Sequence, residues 1–178
     1  MATSLVDEMH AEASRIEEDS LYSAKGHFEA GRAWGNMHLG LGIPTVVLAA
    51  IASASAFKEE IVAAGVLAIA ASVLSAISTF LNPSERSQRH HQAGVKHNSL
   101  RNRIRMFREL DLKSGTCEVD LLASLKALAQ ERDDLNLSNP QIPRFAFKRA
   151  RCGIESGETG YKVDSAIACA KDGKSIGC

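Results

Sequence analysis

At 178 residues, with 21 basic against 21 acidic side chains and no net charge, the chain has room for one compact unit and not for two independent domains. Its four cysteines, Cys117, Cys152, Cys169 and Cys178, form no C-x-x-C pair and no metal-ligand spacing, so they read as reduced cytosolic thiols and not as a secreted disulfide framework. The balanced charge hides a segregation, because residues 33–84 hold only three charged side chains, Lys58, Glu59 and Glu60.

From the N-terminus, Val6, Met9, Ala13, Ile16 and Ala24 or Phe28 recur at helical spacing, which predicts an amphipathic helix over residues 5–32 running into the first apolar stretch. Asp7, Glu8, Glu12, Glu17, Glu18 and Asp19 make this helix acidic and stand where a secretory signal needs a short basic region. Targeting is therefore expected from the apolar stretch itself.

Residues 33–57 and 61–81 are uncharged and each exceeds the roughly 20 residues that cross a hydrocarbon core of about 30 Å. They predict a transmembrane helical hairpin. The competing reading is a soluble bundle whose central hairpin is buried by the rest of the chain, although a soluble core helix normally carries charge along one face. Lys25 and Arg32 precede the first stretch and Arg86, Arg89 and Lys96 follow the second, whereas the loop has Lys58 alone. Both termini are then expected on the cytoplasmic side.

On a helical wheel of the second stretch, Gly65, Ala68, Ser72, Ser75 and Thr79 share one face, opposite Val66, Leu74, Ile77 and Leu81. The first stretch repeats this more weakly with Thr45, Ala49, Ala52, Ser53 and Ala56. Small faces let helices approach closely in lipid, so packing within the hairpin or between protomers is one expectation, with Gly31, Gly35, Gly65 and Ala68 as the close-packing positions. The other is a pore. A single hairpin encloses no water, so conduction requires a homo-oligomer in which Ser72, Ser75 and Thr79 line the path and Asn36 and His38 sit at its cytoplasmic mouth. Pro44, near Gly40 and Gly42, is a hinge candidate or an ordinary tolerated membrane proline.

After the hairpin, Asn82, Pro83 and Glu85 have the spacing of an N-cap, a first-turn proline and a capping-box acid, which predicts a new helix to about Leu110 with its joint at Asn82 and Pro83. This helix is basic, with Arg86, Arg89, Lys96, Arg101, Arg103, Arg105 and Arg108 and no acid among them. Mutual neutralisation with the acidic N-terminal helix is one reading. Attraction to anionic lipid headgroups or binding of a phosphate-bearing ligand is the other. Phe107 is the only aromatic in the stretch and no binding motif is present, so direct nucleic-acid binding is not expected.

Lys113 to Thr116 breaks the helix, and Val119, Leu122, Leu125, Leu128 and Leu135 mark another that ends near Ser138. With Ile104, Phe107 and Leu110 it is expected to build a cytoplasmic core, so that residues 83–138 form cytoplasmic helices. Residues 139–178 are expected as an extended connector over Asn139 to Pro143, a short helix or docked segment over Arg144 to Arg151, and a polar, partly disordered tail. The whole predicts an all-α protein of one unit, 1–178. It lacks G-x-S-x-G, a phosphate-cradling glycine loop and H-E-x-x-H, so no enzymatic activity and no cofactor are expected. His90, His91 and His97 have neither Cys nor carboxylate between them and read as titrating surface histidines, with no metal site.

The order of parts, and above all Leu81-Asn82-Pro83-Ser84-Glu85-Arg86 followed by His90, His91, Lys96, His97, Asn98 and the later Asn139-Pro140-Gln141-Ile142-Pro143, resembles the SLATT family, the SMODS- and SLOG-associating two-transmembrane effector domains of bacteria. The resemblance covers about residues 10–165. It implies an anti-phage or other conflict-system effector in the inner membrane that forms pores and arrests or kills the cell. It also implies a separate partner that supplies the trigger, a sensor or signal-producing nucleotidyltransferase or a reverse transcriptase system. A non-conducting membrane anchor and a holin-like permeabiliser are the alternatives.

Overall fold

The computed structural model describes residues 4–160; residues 161–178 of the expected tail, with Cys169 and Cys178, lie outside them. The described chain is all-helical: α1 Leu5–Phe57, α2 Ile61–Leu81, α3 Pro83–Glu109, a 3-10 turn Asp111–Lys113, α4 Glu118–Ser138 and α5 Arg144–Glu155.

The expected N-terminal helix and first apolar stretch are one helix of 53 residues, about 80 Å long at 1.5 Å per residue. It starts in a capping box, in which the Ser4 hydroxyl accepts from the Asp7 backbone N–H at 3.2 Å and the Asp7 carboxylate accepts from the Ser4 N–H at 3.3 Å. Pro44 lies inside it without ending it. At the next residue, the Thr45 hydroxyl donates to the Leu41 carbonyl at 2.7 Å.

Three residues turn α1 into α2, helped by Glu59 at φ 62°. The next joint is a single residue. Asn82, at φ 43° and ψ 56°, ends α2 in the left-handed conformation that asparagine tolerates, and Pro83 opens α3 at once. The expected capping box is not formed there, because left-handed Asn82 makes no side-chain cap and instead donates its amide to the Glu85 carboxylate.

The N-terminal half of α1 packs along α3, with α4 laid against both and α5 against α1. The core is Met9, Ala13 and Ile16 from α1, Leu100, Ile104 and Phe107 from α3, and Leu121 and Leu125 from α4. Two expected core members are displaced, since Leu110 and Val119 are exposed and Leu121 is buried in the core instead. Gly115, at φ 74°, makes the predicted break before α4. Asn139 to Pro143 is non-helical as expected, and Ile142 seats against Gly26 of α1. Beyond it α5 docks on α1 through Tyr22 and Phe147, whose ring centroids are 6.2 Å apart, and Lys25 binds Glu158 at 2.7 Å.

Candidate functional site

Two helices carry segments long and apolar enough to cross a membrane, and in each only 6% of the apolar window is buried by the rest of the chain. A hairpin buried in a soluble bundle would be covered; this one is bare. The covered positions of α2 are Ala64, Leu67, Ala70, Ala71, Leu74, Ser78 and Leu81, at three- and four-residue steps, and those of α1 include Leu41, Thr45, Leu48, Ala52 and Ser55. The hairpin therefore closes mainly on leucines and alanines, with Thr45, Ser55 and Ser78 among them. Gly65, Ala68, Ser72, Ser75 and Thr79 are all exposed, so Gly65 and Ala68 do not mediate packing within the hairpin, and a Cβ built on Gly65 meets only open space.

The covered Thr45 and Ala71 join the exposed Ser72, Ser75 and Thr79 around an open groove of about 720 Å³ along the edge of the hairpin seam. The Ser72 hydroxyl donates to the Ala68 carbonyl at 2.8 Å and the Thr79 hydroxyl to the Ser75 carbonyl at 2.9 Å, so both donors are satisfied within the helix. Asn36 is exposed and lines a different recess, between α1 and α3, with Lys25, Glu29, Arg32 and Gln88. His38 is exposed on α1. Gly31 and Gly35 do mediate close approach, but to α3. A Cβ on Gly31 would meet the Ser87 carbonyl at 3.2 Å, one on Gly35 would meet the Ser87 hydroxyl at 3.3 Å, and that hydroxyl donates to the Gly31 carbonyl at 2.8 Å.

The basic residues of α3 are largely engaged inside the chain. Arg89 pairs with Glu85, Arg103 with Glu131 of α4, and Arg108 with Glu17 of α1 at 3.1 Å. Arg101 and Arg105 also have partners. Lys96 is exposed. Arg86 lies with its guanidinium 4.9 Å from the Trp34 ring centroid and donates Nε to the Leu81 carbonyl at 2.9 Å.

His90 and His97 are not surface histidines. They are 5% and 1% exposed and meet His27 of α1, 3% exposed, at the crossing of α1 and α3. His27 Nδ1 and His90 Nδ1 are 3.0 Å apart, so one ring donates and the other accepts, while the His97 ring stacks on His27 with centroids 5.5 Å apart. The Asn139 amide lies 3.5 Å from His97 Nε2, and His97 Nδ1 is buried without a partner among the described residues. Burial, reinforced by His90 and His97, pushes the His27 pKa down to about 4. His90 is lowered by burial and then by Arg86, and His97 by burial against an opposing pull from Asp19. His91 stays exposed, its ring 5.5 Å from Phe28. Among the described residues no three His, Cys, Asp or Glu side chains are arranged to hold a metal.

Sequence spacing groups His90 with His97 but misses His27, which lies 63 residues from His90. The signal that could have found it is its place in the apolar series of α1, seven residues after Ser20 and three after Ala24. No protein-family model, no curated protein and no solved structure matches this chain.

Proposed function

We propose that the chain is a membrane effector of SLATT type, acting in a bacterial anti-phage or conflict system. In this reading the hairpin crosses the inner membrane with both termini cytoplasmic, and the α1, α3, α4 and α5 bundle sits beneath it. Several copies assemble into a pore that depolarises or permeabilises the membrane when a partner sensor signals. The observation that carries the proposal is the exposed stripe of Gly65, Ala68, Ser72, Ser75 and Thr79, which the hairpin's own packing leaves uncovered.

The surroundings of the stripe are apolar. Val46, Phe57, Ile61, Val62 and Phe80 are 70 to 90% exposed on the same hairpin, a surface that calls for lipid or for other apolar helices. A stripe of small and hydroxyl-bearing residues within such a surface is where neighbouring spans approach closely, or where water is admitted once several stripes face a shared axis. The resemblance in the order of parts, centred on Leu81 to Arg86 and on Asn139 to Pro143, supplies the conflict-system setting and the need for a separate trigger. A second reading, a non-conducting anchor, is favoured by the internal bonds of Ser72 and Thr79, which let the stripe face lipid at little cost.

Release of ions and of a small dye from liposomes containing the protein separates the two. The pore predicts flux from wild type and its loss in Ser72→Leu/Ser75→Leu. Equal release from both rejects a pore lined by α2. Disulfide trapping tests the assembly, in a background with the native cysteines replaced by serine. Ser72→Cys should cross-link between copies and Val66→Cys, on another exposed face, should not.

A further inference from the structure

A cavity of about 450 Å³ lies at the one-residue joint between α2 and α3, walled by Trp34, Phe80, Asn82, Glu85, Arg86 and Arg89 and roofed by the Pro140–Pro143 connector. We infer that it binds the phosphodiester headgroup of a membrane phospholipid, with Arg86 as the principal cation. This rests on the membrane reading above and adds to it a specific ligand and its site.

Three observations lead there. Glu85 gives one carboxylate oxygen to Asn82 and the other to Arg89, so that pair is closed on itself. Arg86 uses only Nε, on the Leu81 carbonyl, and among the described residues its two terminal amino groups have no hydrogen-bond acceptor while its plane rests near Trp34. A guanidinium held by a carbonyl and an aromatic ring, with two unpaired amino groups on a residue that lines a cavity, is arranged to receive a phosphate.

The charge selects the class of phosphate. Two guanidiniums against one carboxylate leave a single positive charge, and His90, which also borders the cavity, is held neutral near pH 7 by burial. That matches a phosphodiester monoanion better than a phosphomonoester or a polyphosphate, which bring two or more charges.

Position selects the source. Leu81 ends the apolar stretch of α2, Trp34 opens that of α1, and Phe80, 88% exposed, leads from the cavity along the bare hairpin. The cavity thus lies at the boundary between apolar and charged chain, the level of lipid headgroups, where Trp and Arg anchor proteins. A lipid held here would touch α1, α2, α3 and the connector together and fix the orientation of the Asn82 joint.

Trp34 is the only tryptophan, so its emission reports this cavity alone. Full-length protein in neutral detergent, titrated with short-chain phosphatidylglycerol, should show a saturable change in emission. Arg86→Gln should bind about tenfold more weakly, the cost of one charge-assisted contact, whereas Lys96→Gln should titrate like wild type, with circular dichroism confirming that both variants are folded. No saturable change, or the same change with a diacylglycerol of equal chain length, overturns the phosphate site. Equal affinity for soluble glycerophosphoglycerol overturns the lipid source in favour of a free phosphodiester. Alkaline carbonate washing of membranes keeps the two levels apart. A protein that stays in washed membranes but ignores the lipid refutes this site only, and one that is released refutes the membrane reading beneath it.

Discussion

The two halves of α1 belong to different environments although no break separates them. From Met9 to Gly31 the helix buries a residue at nearly every turn against α3, α4 and α5, and from Arg32 to Phe57 it buries only Ala52. The same helical geometry serves both, so the difference lies in what the neighbours supply. The bundle half completes its core with Leu100, Ile104, Phe107, Leu121 and Leu125 from the same chain. The hairpin half has α2 alone, and two helices cover only one side of each other.

The contrast is broken most directly by deleting one phenylalanine from each half. Phe107 is 2% exposed and Phe57 is 90% exposed. Phe107→Ala should destabilise the protein by about 3–5 kcal/mol, the usual cost of emptying an aromatic site in a core. Phe57→Ala should change it by less than about 0.5 kcal/mol. Thermal unfolding in detergent, followed by circular dichroism, measures both; similar losses at the two positions would mean that the hairpin has a core of its own.

A smaller effect, confined to the bundle half, should appear on acidification. His27 has a folded pKa near 4 against an ordinary value of 6.5, so as pH falls through 6.5 the unfolded chain takes up the proton first. The stability contributed by neutral His27 is complete above about pH 6.5 and is lost as pH falls toward 4. His90 and His97 shift in the same direction. The charged groups that bear on the cluster are Arg86, which adds to the shift of His90, and Asp19, which opposes that of His97. His27 alone predicts a loss of roughly 2 kcal/mol between pH 7.5 and pH 5. His27→Gln should flatten the profile, and an unchanged slope would mean that the cluster is not what titrates.

The halves also differ in how much the sequence reveals. Residues 33–57 and 61–81 are legible as apolar helices because absence of charge is a property of each segment by itself, and the Lys113 to Thr116 break is legible for the same local reason. Which face of α2 meets α1 is not local. A wheel separates the serines from the leucines but does not say which side the partner takes, and the structure puts Leu67, Ala71 and Leu74 inward. Gly31 and Gly35 have close-packing spacing in the sequence, yet their partner, Ser87, stands more than 50 residues away. The Asn82 joint shows both cases. Its place is readable from Asn-Pro, but its left-handed conformation, which turns the side chain from capping to Glu85, follows from how α2 ends.

The smallest effect is expected where sequence charge looks most important. Arg103 pairs with Glu131 across α3 and α4, but the two side chains are 48% and 39% exposed. Water and salt screen such a pair, and holding two long side chains in one geometry costs entropy, so Arg103→Gln should lower stability by about 0–1 kcal/mol and by less at high salt. Arg108 is the sharper case, since it and Glu17 are 24% and 14% exposed in an ion pair that joins α3 to the bundle half of α1. Arg108→Gln leaves Glu17 poorly solvated and without its cation, and should cost about 1–3 kcal/mol, largely independent of salt. If urea unfolding ranked Arg103→Gln above Arg108→Gln, the basic helix would be stabilised by its overall charge and not by the ion pair with Glu17 that its packing shields.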